Sequence, residues 1–76
     1  MESEYYLKEF DFFDGECFIT FNIIEINFSK QTILVAVSNR GKLSYIEYDL
    51  REDEDYEYYF TYGYDFTKIY LKDFTD

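Results

Sequence analysis

Glu47, Asp49, Glu52, Asp53, Glu54, Asp55 and Glu57 fall within eleven consecutive residues, opposed only by Arg51. Carboxylates packed at this density can do three kinds of chemistry. They can exchange protons, ligate a hard cation, or present a ladder of negative charge to a basic surface. Acid–base catalysis finds little support elsewhere in the chain. There is no histidine, and so no Ser/His/Asp or Cys/His set. No phosphate-cradling glycine loop occurs. A chain of 76 residues has little room for both a core and a substrate cleft. No enzymatic activity is expected. Cation binding fares little better. The acids lack the spacing and the central glycine of a calcium-binding loop, and one cysteine without histidine cannot build a zinc site. No metal or cofactor is expected.

The third chemistry fits best. Acids at alternate positions of a strand, such as Glu47 and Asp49, point the same way about 6.6 Å apart. That step is comparable to the spacing of successive phosphates along a nucleic-acid strand, so a twisted sheet edged with carboxylates can imitate a phosphate backbone. Glu9, Asp11, Asp14 and Glu16 form a second, looser acidic group that would extend the track. Tyrosines follow the main run directly. Tyr58, Phe60 and Tyr62 alternate as core residues should. Tyr56, Tyr59 and Tyr64 are left as outward rings suited to anchoring an interface.

The whole-chain charge narrows the partner. Seventeen acids against seven bases give −10. This opposes direct binding to nucleic acid, which needs Lys and Arg, and to anionic membranes. It favours a basic protein approached under electrostatic steering, with a nuclease or another nucleic-acid-binding protein as the leading expectation. In size, charge and lack of catalytic groups the chain resembles the class of small inhibitors made by phages and mobile elements. Some of these act on restriction enzymes, others on CRISPR effectors or DNA-repair enzymes. The alternative is a general interaction module or homo-oligomer, with a homodimer as one option, that uses tyrosine patches and β edges. No stretch is apolar enough for a membrane helix. The acidic opening Met1-Glu2-Ser3-Glu4 is unlike a basic signal-peptide start, so a cytoplasmic location is expected, in the host cell if phage-encoded.

These side chains must be positioned by strands. Tyr, Phe, Ile, Val and Thr dominate, there is no proline, and Ala36 is the one alanine. That composition favours pleated surfaces over helices. Ten Tyr and nine Phe give a short chain the means to fill a core. Cys17 has no disulfide partner and reads as a small buried hydrophobe beside Phe18 and Ile19. Expected strands are 5–12, 17–28, 32–38, 43–50, 56–62 and 66–74, with Arg51 to Asp55 as a charged loop. In 17–28 the apolar phase flips between Ile23 and Ile24, which predicts a β-bulge there. Both faces of 32–38 are apolar, which predicts a central strand. Asn39-Arg40-Gly41-Lys42 reads as a hairpin loop with Gly41 in a bulged turn. In 66–74, Thr67, Ile69 and Leu71 are expected on one face, with Phe66, Tyr70 and Phe74 on the other. The expected fold is one all-β domain over residues 1–76. It is a small twisted antiparallel sheet or partly closed barrel of five or six strands in meander order, with a short helix near 53–59 as an option.

Overall fold

In the 17–28 segment, Ile19, Phe21 and Ile23 are fully buried, while Glu25 is exposed and Ile26 packs against the core. The alternation survives the phase change because the register shifts between Ile23 and Glu25: Ile23 lies opposite Val35, Glu25 opposite Leu34 and Ile26 opposite Ile33. The expected bulge is therefore present. It inserts Ile24 and returns Ile26 to the core face.

The computed structural model describes residues 5–76, so the acidic opening of the chain lies outside the described residues. The strands are β1 (Glu9–Phe13), β2 (Phe18–Asn27), β3 (Thr32–Asn39), β4 (Lys42–Asp49), β5 (Arg51–Glu52), β6 (Tyr58–Tyr62) and β7 (Thr67–Tyr70), followed by a 3-10 turn at Leu71–Asp73. They form two antiparallel sheets, β1-β2-β3-β4 and β5-β6-β7, each in sequence order. The all-β meander is as expected, with β3 in the interior of its sheet. The division into two sheets, with no barrel closure, is new relative to the sequence reading. Leu50 explains the break. It is buried, and its N–H donates to the Gln31 carbonyl at 2.8 Å. The chain thereby leaves the first sheet at Leu50 and starts the second at Arg51.

The core lies between the sheets. Phe21, Ile23, Ile33, Val35 and Val37 from the first meet Phe60 and Ile69 from the second, and Leu71 and Phe74 from the 3-10 turn that follows it. Phe60 is its centre, stacked on Tyr48 with centroids 4.8 Å apart and edge-on to Phe21 at 5.7 Å. Phe10 and Phe12 seal one side against Phe74 and Tyr62.

Several boundaries differ from expectation for identifiable reasons. The first strand begins at Glu9, because Leu7 has φ 63° and interrupts extended backbone. Arg51–Glu52, expected in a loop, pairs with Tyr58 and Tyr59. Residues 53–57 form the connecting turn and not a helix. The Asn39–Lys42 connection is a two-residue turn and not a bulged one. Asn39 pairs with Lys42, and Arg40 and Gly41 both have positive φ, the arrangement whose twist matches the flanking strands. At the C-terminus, Phe74 was expected on the face opposite Ile69. The 3-10 turn shifts the phase, and both side chains are buried. Cys17 is not a core hydrophobe. It is half-buried among polar groups, 3.4 Å from Arg40 Nε and 3.7 Å from Asn39 Oδ1.

Candidate functional site

The second sheet covers only one face of the first. On the other face, strand register groups the side chains into rows: Glu9, Asn22, Ala36 and Tyr45; Asp11, Thr20, Ser38 and Leu43; Glu25, Leu34 and Glu47; Asn27, Thr32 and Asp49. Glu9, Asp11, Glu25, Glu47 and Asp49 are all exposed. Two hydrogen bonds run across this face, Thr20 Oγ1 donating to Asp11 at 2.8 Å and Asn22 Nδ2 donating to Glu9 at 3.5 Å. None of these strand positions is Lys or Arg. Lys30 enters only from the β2–β3 turn, at the rim of a shallow depression lined by Glu25, Asn27, Thr32, Leu34 and Glu47.

Strand geometry sets the spacing of the carboxylates. Glu9 and Asp11, like Glu47 and Asp49, lie two residues apart on one strand, about 6.6 Å. Glu25 and Glu47 sit two strands apart across Leu34, about 9.6 Å. Five exposed negative charges thus occupy one twisted surface, and among the described residues no strand packs over it. The sequence reading assigned Glu47 and Asp49 to the site and Glu9 and Asp11 to its extension. Glu25 was missed as a site residue. The signal was present, because the bulge places it opposite Leu34 and away from the core. Asp14 and Glu16 do not extend the track. Asp14 caps its own turn, its Oδ1 accepting from the Glu16 and Cys17 N–H groups at 2.9 Å. These backbone donors, Cys17 first, hold its carboxyl below the usual range. Glu16 is paired with Arg40 at 2.6 Å.

The other acids that the sequence assigned to the site cluster around the β5–β6 turn. Glu52, Asp53, Glu54 and Asp55 line an open depression with Tyr59, Lys68 and Tyr70. Asp49 and Glu52 share a neighbouring cleft with Lys30, Gln31, Leu50, Arg51 and Tyr59. Asp53 organises this turn. Its Oδ1 accepts from the Asp55 N–H at 2.8 Å and the Glu57 N–H at 3.0 Å, and its Oδ2 accepts from the Tyr70 hydroxyl at 3.1 Å. Its N–H donates to the Glu57 carbonyl at 3.0 Å. Asp53 therefore acts as internal scaffolding more than as free charge. Glu57 is half-buried and serves the same turn through its backbone N–H and C=O.

The Glu57 N–H, then the Asp55 N–H, the Tyr70 hydroxyl and the charge of Lys72 hold the Asp53 carboxyl below the usual range, outweighing its partial burial. Burial first, and then donation to Asp53, pushes the Tyr70 hydroxyl up. A lowered native value means that the stabilisation is complete above the unfolded value, about 3.9. It is lost as pH falls through the native one. Asp53→Asn should therefore flatten the acid limb of stability, measured as urea midpoint against pH. Its deficit relative to the wild type should be largest above about pH 4 and should shrink in more acid solution. Parallel profiles for the two proteins would contradict this role.

The tyrosines do not form one patch. Tyr56 sits at the tip of the acidic turn, 79% exposed. Tyr59 is half-buried against Tyr70, with centroids 5.3 Å apart, and Lys68 Nζ lies 5.0 Å from its ring. Tyr64 is fully exposed in the β6–β7 turn, at the opposite end of β6 from Tyr56. Tyr56 is further distinguished by φ 64°, a left-handed conformation that costs a bulky residue about 1–2 kcal/mol and glycine little. Tyr56→Gly is expected to stabilise the fold by about 1 kcal/mol net, raising the thermal midpoint by several degrees. An unchanged or lowered midpoint would show that the ring offsets the strain through contacts in the native state.

Among the described residues, no group of three or more Cys, Asp or Glu side chains converges to hold a metal ion, and no helix is long and apolar enough to cross a membrane. No protein-family model, curated protein sequence or solved structure matches the chain.

Proposed function

We propose that this chain is an acidic inhibitor of a basic nucleic-acid-handling protein, a counter-defence factor of the anti-CRISPR or anti-restriction kind. It acts by occupying a nucleic-acid groove and not by catalysis. The uncovered face of the first sheet, bearing Glu9, Asp11, Glu25, Glu47 and Asp49, carries this reading. Its carboxylates take the places of phosphates, and Lys and Arg of the target groove pair with them as they would with nucleic acid. Glu52, Glu54 and Asp55 lengthen the negative surface around the β5–β6 turn, and Tyr56 at its tip supplies an aromatic anchor. The net charge of −10 draws the basic partner in and keeps nucleic acid itself away. The working location is the cytoplasm of the host cell.

Pull-down from bacterial lysate at low salt, followed by competition of the captured protein against its own DNA or RNA, tests the reading. The captured protein is expected to be a basic nuclease or other nucleic-acid-binding enzyme. It should lose its nucleic acid to the inhibitor, and the complex should weaken steeply between about 50 mM and 500 mM salt as screening sets in. Affinity that does not change over that range would end the mimicry proposal.

A further inference from the structure

The two edges of the first sheet are not equivalent. At the β1 edge, Glu9 exchanges two backbone hydrogen bonds with Thr75, at 2.7 and 2.9 Å. Among the described residues, strand β4 pairs with β3 and with no other strand. Among the described residues nothing is hydrogen-bonded along its outer side. Every residue from Lys42 to Glu47 is exposed, including Leu43 at 58% and Tyr45 at 65%. An eight-residue, unbulged, partly apolar edge of this kind is a template for another strand.

The register shows which backbone groups are free. The two-residue turn makes Asn39 and Lys42 a hydrogen-bonded pair. Such pairs alternate along an antiparallel ladder. Lys42, Ser44, Ile46 and Tyr48 therefore bond inward to β3, and Leu43, Tyr45 and Glu47 direct their N–H and C=O groups outward. Charge along this edge is polarised. Lys42 stands at its start, beside an Arg40 already paired with Glu16, and Glu47 and Asp49 stand at its end.

We infer that two copies of this chain join edge to edge through β4, antiparallel about Tyr45, making one continuous sheet from the two four-stranded sheets. A two-fold axis normal to the sheet sets Tyr45 opposite Tyr45 of the second copy, and Leu43 opposite its Glu47. Each outward pair exchanges both of its hydrogen bonds. This direction also brings Lys42 of each copy toward the Glu47–Asp49 end of the other. A parallel pairing would set acids beside acids. Because the axis is normal to the sheet, the two carboxylate faces lie on the same side, and the dimer presents one doubled acidic surface. The inference is independent of the inhibitor reading, and salt separates the two. Copies that each carry −10 repel at low ionic strength, so self-association strengthens as salt screens them, whereas capture of a basic partner weakens.

Sedimentation equilibrium of the full chain over a range of protein and salt concentrations is the test. The expected mass is twice the 9.4 kDa of one chain, approached at lower protein concentration when salt is raised. Tyr45→Pro removes one outward N–H and leaves the β3 ladder intact. Leu43→Glu sets like charges directly opposite each other, against Glu47 of the second copy at both ends of the seam. Both should return the mass to that of one chain with an unchanged far-ultraviolet spectrum. Should Tyr45→Pro fail to fold, Leu43→Glu and amide exchange of the wild type remain decisive, with the Leu43, Tyr45 and Glu47 amides expected to slow as protein concentration rises. A wild type that stays monomeric to about millimolar concentration overturns the inference. So does a dimer that persists in the folded variants, or one whose outward amides stay unprotected. Protection of those amides only when a different protein is added overturns it too, in favour of a foreign strand at the same edge.

Discussion

Phe60→Ala is expected to remove a large share of the fold's stability and to move the urea midpoint sharply downward. Phe60 has no solvent exposure and stands where the two sheets meet. Its ring is stacked on Tyr48, edge-on to Phe21, and 6.4 Å from Phe74. Truncation removes the transfer energy of the ring and leaves a cavity bounded by other rigid rings, which collapse poorly into it. A loss of about 3–5 kcal/mol follows. A chain of this length has a total stability on the order of 4–11 kcal/mol, with no disulfide to restrain the unfolded state. The loss is a large fraction of that total, and also separates the second sheet from the first. Urea unfolding followed by circular dichroism checks it, since the protein lacks tryptophan. Phe28→Ala is the control. Phe28 is half exposed and touches Tyr58 at the margin, so its loss should cost well under half as much. A Phe60→Ala protein unfolding near the wild-type midpoint would show that the sheets are held together elsewhere.

Replacing Glu25, Glu47 and Asp49 together by lysine is expected to reduce binding to the captured basic enzyme by at least about a hundredfold. Each replacement adds two positive charges, so the chain would still be acidic, at −4 against −10. Long-range attraction would persist, while the surface that has to meet the enzyme would carry the wrong sign. Like-charge contact at an interface costs several kcal/mol, far more than the removal of a rim charge. The fold should tolerate the change because all three side chains are exposed and make no ion pair among the described residues. A parallel variant with Glu52, Glu54 and Asp55 reversed makes the same charge change at the β5–β6 turn and spares Asp53, which that turn needs. Its affinity should also fall, and by less if the sheet face is the main contact. Full affinity after reversal of the sheet face, with the circular dichroism unchanged, would remove that face from the proposed interface.

Much of the architecture was legible from pattern. Period-two alternation located β2, β3, β4 and β6, because a one-residue slip would turn the apolar set outward. The phase flip at Ile23–Ile24 announced the bulge, and the two apolar faces of β3 announced its interior place. Failures came where conformation is set locally by neighbours absent from the pattern. Phe74 reached the core through a 3-10 turn that changes the period. The Asp53 turn is held by Tyr70, seventeen residues away, a partner that no local spacing reveals.

The candidate site shows the same division. Residue type and spacing alone made the chain acidic, aromatic, extended and poor in catalytic groups. They also placed Glu47 and Asp49 on one side of a strand, since successive side chains alternate across it. Three-dimensional pairing separated free carboxylates from structural ones. Asp14, Glu16 and Asp53 are spent on turns and an ion pair, while Glu9, Asp11 and Glu25 join Glu47 and Asp49 on a single open face. Register between strands is a relation among distant segments. It appears only when the core chooses which face each segment buries, and here that choice gathers the charge on the face left to water.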